Sequence, residues 1–266
     1  MTKKKDEVVE GKQKVVEEDQ GTLPVANTST EMTTQETEPF DDGMGEITQD
    51  DLIIPRLKVG QKQSPGDVAG KLFIDVTGDM VDEMQLVLLK LNKSRVLFPE
   101  DFSRDSEPLC KSQNFITPET SDKFTTMADK CSECTYGKWA KSNSGKQKPP
   151  RCQETWNFLV LDFESYMPCW FSLKSTALKP ARKIISMLKL RGTAKRIPAW
   201  GFKFTVNVDA RIGDSGDSYL PVFSALQELS TEDRRSMDLI HDQLAGETVE
   251  PDTPNAPTDK SDPDDF

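Results

Sequence analysis

Thr155-Trp156-Asn157-Phe158-Leu159-Val160-Leu161-Asp162-Phe163, followed after Glu164-Ser165 by Tyr166-Met167-Pro168-Cys169-Trp170-Phe171-Ser172-Leu173, is the stretch on which the fold turns. Two strand-like runs separated by a short polar break predict an antiparallel hairpin. Upstream, Leu52 to Val59 alternates in apolarity and reads as an edge strand, where Pro55 is tolerated. Lys71 to Val76 is a second strand and Met84 to Leu91 a third, continuing through Lys93 to Phe98.

Downstream, Leu178, Ala181, Ile185 and Leu188 recur at helical spacing, with Lys179, Arg182, Lys183, Ser186 and Lys189 on the opposite face. A basic helix over about 176–190 is expected, with Pro180 in its first turn or just ahead of a later start. Trp200 to Val208 alternates again, and Ser218 to Ser224 returns after the turn Gly213-Asp214-Ser215-Gly216-Asp217. A last helix opens on a capping box, Ser230 with Asp233, carries Met237, Ile240 and Leu244 as its stripe, and ends at Gly246. About eight strands and two helices make the chain mainly β. A small barrel of the OB type with a long loop insertion fits that count.

Charge divides the chain. Residues 52–227 hold 26 Lys/Arg against 19 Asp/Glu, whereas 1–51 hold 5 against 14 and 228–266 hold 3 against 12. A basic body between two acidic arms favours a polyanion as ligand, with the arms free to screen the body or meet other proteins. Residues 1–46 and 247–266 are too poor in aliphatic side chains to offset the entropy of ordering, so both are expected to be disordered. The core is then 47–246, within the ordinary range of one domain.

No run is apolar enough to span a bilayer, and Met1-Thr2-Lys3-Lys4-Lys5-Asp6 has no apolar segment behind it. A cytoplasmic protein is expected, with no membrane partner. The single histidine, His241, excludes a two-histidine metal site and argues against a hydrolase built on a His base.

The polar excursion 100–153 contains Cys110, Cys131, Cys134 and Cys152. The pair Cys131-Ser132-Glu133-Cys134 has the spacing that lets two thiolates turn toward one ion. In a reducing compartment metal explains such cysteines better than disulfides. A four-thiolate Zn2+ site would also supply folding energy to a segment nearly without an aliphatic core. Four thiolates leave no open coordination position, so the expected role is structural. An iron–sulfur cluster uses the same four ligands. Cys169, in a strand, reads as a buried small apolar residue.

From Lys138 to Arg196 there are 13 Lys/Arg and 3 Asp/Glu. Lys138, Lys141, Lys146, Lys148 and Arg151 decorate the cysteine loop; Lys174, Lys179, Arg182, Lys183, Lys189, Arg191, Lys195 and Arg196 surround the first helix; Lys203 follows on a strand. Tyr136, Trp139, Trp156, Tyr166, Trp170 and Trp200 are interleaved with them. Cations for phosphates and flat rings for bases are what single-stranded nucleic acid requires. Tyr136 and Trp139, in a lysine-rich loop, are the rings best placed for exposed stacking, while the other aromatics also fit a core.

The ending Ser261-Asp262-Pro263-Asp264-Asp265-Phe266 resembles the acidic C-terminal tails of bacterial and bacteriophage single-stranded-DNA-binding proteins, although it lacks the Ile-Pro-Phe ending of the cellular ones. The resemblance implies that Asp262, Asp264 and Asp265 mimic nucleic acid and occlude the groove. It also implies that Phe266 docks on replication or recombination proteins. The elements Cys131 to Cys134, Pro149-Pro150-Arg151-Cys152 and Lys179-Pro180-Ala181-Arg182-Lys183 resemble those of a family of bacteriophage-encoded proteins, a likeness that implies no activity.

The expectation is a non-enzymatic, phage-type single-stranded-DNA-binding protein of replication or recombination. Two other readings stand beside it. One is an adaptor whose zinc loop docks a host protein such as RNA polymerase. The other is a metal-dependent nuclease built on Asp162, Glu164 and Lys174. The choice between DNA and RNA, and the oligomeric state, stay open at this point.

Overall fold

The computed structural model describes residues 53–62, 64, 68–100, 106–119, 125–141, 145, 147–212 and 218–247. The N-terminal arm, residues 248–266 with the four tail residues named above, Lys146, and the turn at 213–217 lie outside the described residues.

The hairpin forms as its two runs predict. β8 (Gln153–Asp162) pairs antiparallel with β9 (Pro168–Lys174), Phe158 opposite Phe171 and Val160 opposite Cys169. Asp162 closes the turn between them: its carbonyl accepts from Tyr166 N at 2.9 Å and its carboxylate from Ser165 Oγ at 2.6 Å. Phe158, Leu159, Val160 and Leu161 are all fully buried, so this strand is covered on both faces. Each such side chain is worth about 1.5–3 kcal/mol of burial.

Strands are added on both sides. β4 (Glu83–Leu97) lies against β8, and its ladder shifts register between Leu88 and Lys90, a bulge that bends a 15-residue strand. Next to β4 comes β10 (Phe202–Arg211), then β11 (Ser218–Glu228). β5 (Cys110–Ser112) pairs with the far end of β4. On the other side, β1 (Arg56–Val59) runs parallel to β9 and antiparallel to β2 (Leu72–Ile74), which pairs with β3 (Met80–Val81). β6 (Ala140–Lys141) and β7 (Gln147–Lys148) form a separate ribbon. The first strand is therefore interior, not the expected edge: Pro55 precedes it, and the Pro55 carbonyl accepts from Trp170 N at 2.8 Å.

Side chains alternate between two cores. The inner face carries Leu57, Leu72, Leu86, Phe158, Phe171, Phe202, Phe204 and Phe223, packed on Leu178, Ala181, Ile184 and Leu188 of α1 (Leu178–Lys195). The outer face carries Val87, Leu89, Leu159, Leu161 and Trp170, packed on Met237 of α2 (Thr231–Gln243). Pro180 sits in the first turn of α1, where its missing N–H has no helical partner to lose. This helix runs five residues past the expected end and stops at Arg196 in the left-handed region (φ 56°). Gly192 allows that stop, because a Cβ there would stand 2.6 Å from Ile197 O. α2 begins with the expected cap: Ser230 Oγ accepts from Asp233 N at 3.1 Å.

The sheet curls so that the segment after β1 meets β11. Gln61, after β1, donates from Nε2 to Tyr219 O (2.8 Å) and accepts from Tyr219 N at Oε1 (3.1 Å), so one amide bridges the first and last strands. The described fold is mainly β: a curled half-barrel sheet with one helix on each face. No helix among the described residues is long and apolar enough to cross a membrane.

Candidate nucleic-acid interface and cysteine cluster

The cysteine excursion is held mainly by hydrogen bonds. Leu109 N donates to Leu97 O (2.7 Å), anchoring Cys110 at the end of β4. Asn114 Oδ1 accepts from Ile116 N (2.8 Å) and Thr117 N (2.9 Å), a tight polar turn. Cys131 N donates to Ile116 O (2.9 Å), and Cys152 N to Tyr136 O (3.0 Å). These bonds gather Cys110, Cys131, Cys134 and Cys152 around one cavity of about 20 Å³, closed by Leu97, Pro118, Met127 and Ala128. All five cysteines of the chain are unbridged, and Cys169 lies apart in the inner core as a buried apolar residue.

The four-thiol donor set and a cavity the size of one small ion suit zinc by chemistry. As the side chains stand, however, among the described residues no three or more His, Cys, Asp or Glu are placed to hold a metal ion. Burial raises the Cys110 thiol above its ordinary value. Burial also pushes Cys152 up to about 12, against the opposing pull of the nearby Arg95 guanidinium. Any metal bound here must displace those protons.

Beside the cluster runs a row of cations on aromatic rings. Lys93 and Arg95, two apart on β4, fall opposite Trp156 and Glu154 of β8 and so share the inner face. Lys93 Nζ lies 4.1 Å from the centre of the Trp156 ring, and the Arg182 guanidinium of α1 reaches the same ring at 5.8 Å. The Arg95 guanidinium stands 4.2 Å from the Phe115 ring, which the Asn114 turn presents with φ 65°. Arg95 also lies directly under the backbone at Gly137, where a Cβ would meet Nη1 at 2.2 Å. Its Nε is buried with no hydrogen-bond partner among the described residues. Glu154 accepts from Trp156 Nε1 (2.6 Å) and stands 3.8 Å from Arg182 Nη2.

Lys179, Lys183 and Lys189 are exposed along α1, the helix that carries Arg182. Trp139 is 64 % exposed and Tyr136 36 %, both on the cysteine loop as expected. Lys138, Lys141 and Lys148 are exposed on the same loop and its ribbon. Other expected contacts are engaged elsewhere. Arg151 pairs with Glu100 at 2.6 Å and lies 5.3 Å from the Tyr136 ring. Arg191 donates to Leu226 O at 2.8 Å, and Lys195 bonds the Glu228 carboxylate. Lys174 and Arg196 are exposed at either end of the helical segment. Lys203 is on the outer face, since its neighbours Phe202 and Phe204 point inward, and it covers the Phe163 ring at 4.2 Å.

Trp170 is buried in the outer core. Trp200 stacks on His241 at 3.7 Å. Asp162 ends β8 at the hairpin turn, whereas Lys174 ends β9 at the far end of the hairpin, about 20 Å of strand away, and the Asp162 carboxylate is occupied in its turn. The nuclease triad is thus not brought together.

Lys93, Arg95 and Phe115 are the residues that sequence reasoning missed. The signal was present: two cations two apart in an expected strand must share a face. Their ring partners come from distant segments and carried no local mark. Comparison with family models, curated proteins and solved structures yields no match.

Proposed function

We propose that this chain binds single-stranded DNA without regard to sequence, as a phage-type protein of replication or recombination. The observation that carries the reading is the row Lys93, Arg95 and Arg182 laid on Trp156 and Phe115, with Arg182 on the same helix as the exposed Lys179, Lys183 and Lys189. Phosphates would follow the cations and bases would stack on the exposed rings of Tyr136 and Trp139. In this reading the curled sheet is an OB-like barrel. The cysteine loop is a lobe stapled by Zn2+ through Cys110, Cys131, Cys134 and Cys152, a structural ion that would fix the loop beside the row. The acidic segment 247–266, with Asp262, Asp264, Asp265 and Phe266, would cover the cationic row until DNA displaces it and would then recruit replication or recombination proteins.

Tryptophan-fluorescence titration with oligo-dT tests the proposal. Quenching at low salt, tighter after removal of residues 247–266, is the expected result. With five phosphates neutralised, log affinity should fall against log salt with a slope near −3.5, from about −0.7 per phosphate. Absence of binding by the tail-less protein at low salt would reject the reading.

A further inference from the structure

A cavity of about 540 Å³ opens between the cysteine loop and the inner face of the sheet. Its walls include Trp139, Pro149 and Pro150 from the loop, Arg95 and Glu154 from the sheet, and Arg182 from α1. The volume lies within the range of pockets that enclose a whole small ligand rather than a shallow track. Its polar lining comprises two guanidiniums, one carboxylate, the Gln153 amide, and the hydroxyls of Ser175 and Thr176 just before α1. The Trp139 ring is 64 % exposed although large and apolar, and the Arg182 side chain is 59 % exposed although it lies near Glu154. A flat ring and a cation with its donors still open to solvent, facing one cavity, suit one heterocycle and its attached phosphate.

We infer that this cavity is a discrete nucleotide subsite, taking one unstacked base of the bound strand against Trp139 with its phosphate on Arg182. The inference rests on the single-stranded-DNA reading and adds one fixed anchor to an otherwise uniform track. It also gives the loop a part in binding, since Trp139 and the two prolines reach the cavity only if the cysteine lobe stays folded.

Photocross-linking of the full-length protein to a dT12 carrying one 5-iodouracil, moved through the oligonucleotide, tests it. Adducts mapped by peptide sequencing should fall on Trp139. Trp139→Leu should weaken dT12 binding by about 10-fold, the cost of one lost stacking platform. Arg182→Gln should make the salt slope shallower by about 0.7, one phosphate contact. Both substitutions are at exposed side chains, and the cross-link on unaltered protein does not depend on either variant folding. If dT12 binds and quenches fluorescence but adducts map elsewhere and both variants bind normally, the subsite is overturned and the general reading survives. If unaltered and tail-less proteins both ignore dT12, both fall together.

Discussion

Adding one methyl group at Gly137 should loosen the junction between the cysteine lobe and the sheet. The new Cβ would lie 2.2 Å from Arg95 Nη1, so the guanidinium must retreat by more than 1 Å to reach ordinary contact. Its present seat is 4.2 Å from the Phe115 ring, beside the Cys152 thiol. Retreat forfeits a partly desolvated cation–ring contact, about 1–2 kcal/mol. A domain of this size loses about 2–4 °C of melting temperature per kcal/mol, so Gly137→Ala should melt about 2–8 °C lower. The assay is a double-mutant cycle followed by circular dichroism, with Arg95→Ala as the second change. In the Arg95→Ala background the methyl group meets no guanidinium and should cost little, leaving a coupling of about 1 kcal/mol or more. Equal costs in both backgrounds, or no cost in the parent, would refute the placement of Arg95 beneath this glycine.

Three other outcomes are expected. Metal analysis of protein purified under reducing conditions should give one zinc per chain, lost in Cys131→Ser; retention of metal in that variant would remove the four-thiolate assignment. Cys169, pushed up to about 12 by burial, keeps its proton in the fold, whereas an unfolded thiol ionises near pH 8.5. Its contribution to stability is therefore complete below that value and lost as pH rises toward 12, and the urea midpoint should fall more between pH 8 and pH 10.5 in the parent than in Cys169→Ala. Lys183 and Lys203 were alike in the sequence but fall on the helix surface and the outer face respectively, so Lys183→Gln should weaken oligo-dT binding several-fold while Lys203→Gln leaves it unchanged by the same titration.

Local pattern was a sound guide where a segment's own side chains decide its state. The β8–β9 hairpin, the apolar stripe of α1 (with Ile184 rather than Ile185 fully buried) and the Ser230 cap all follow from spacing within a few residues. It failed where the partner is remote. Pro55 suggested an edge, yet β1 is seated between β9 and β2, because Trp170 and Phe171 lie alongside Arg56 and Leu57 in parallel register. Arg191 and Lys195 looked like part of the cationic surface, but the β11 strand claims both. The cysteines were legible as a set from their pattern and do line one cavity, whereas the row beside them depends on Phe115 and Trp156 arriving from distant segments. The tail residues lie outside the described residues.

The amide of Gln61 joins backbone positions 158 residues away by two hydrogen bonds, with no strand ladder at that seam. Such a closure is a latch more than a weld: across it run two hydrogen bonds and side-chain contacts such as Phe171 with Phe223, which can loosen without unzipping any ladder. Amide exchange at Tyr219 should therefore run faster than at Val206 or Phe158, deep in the wall.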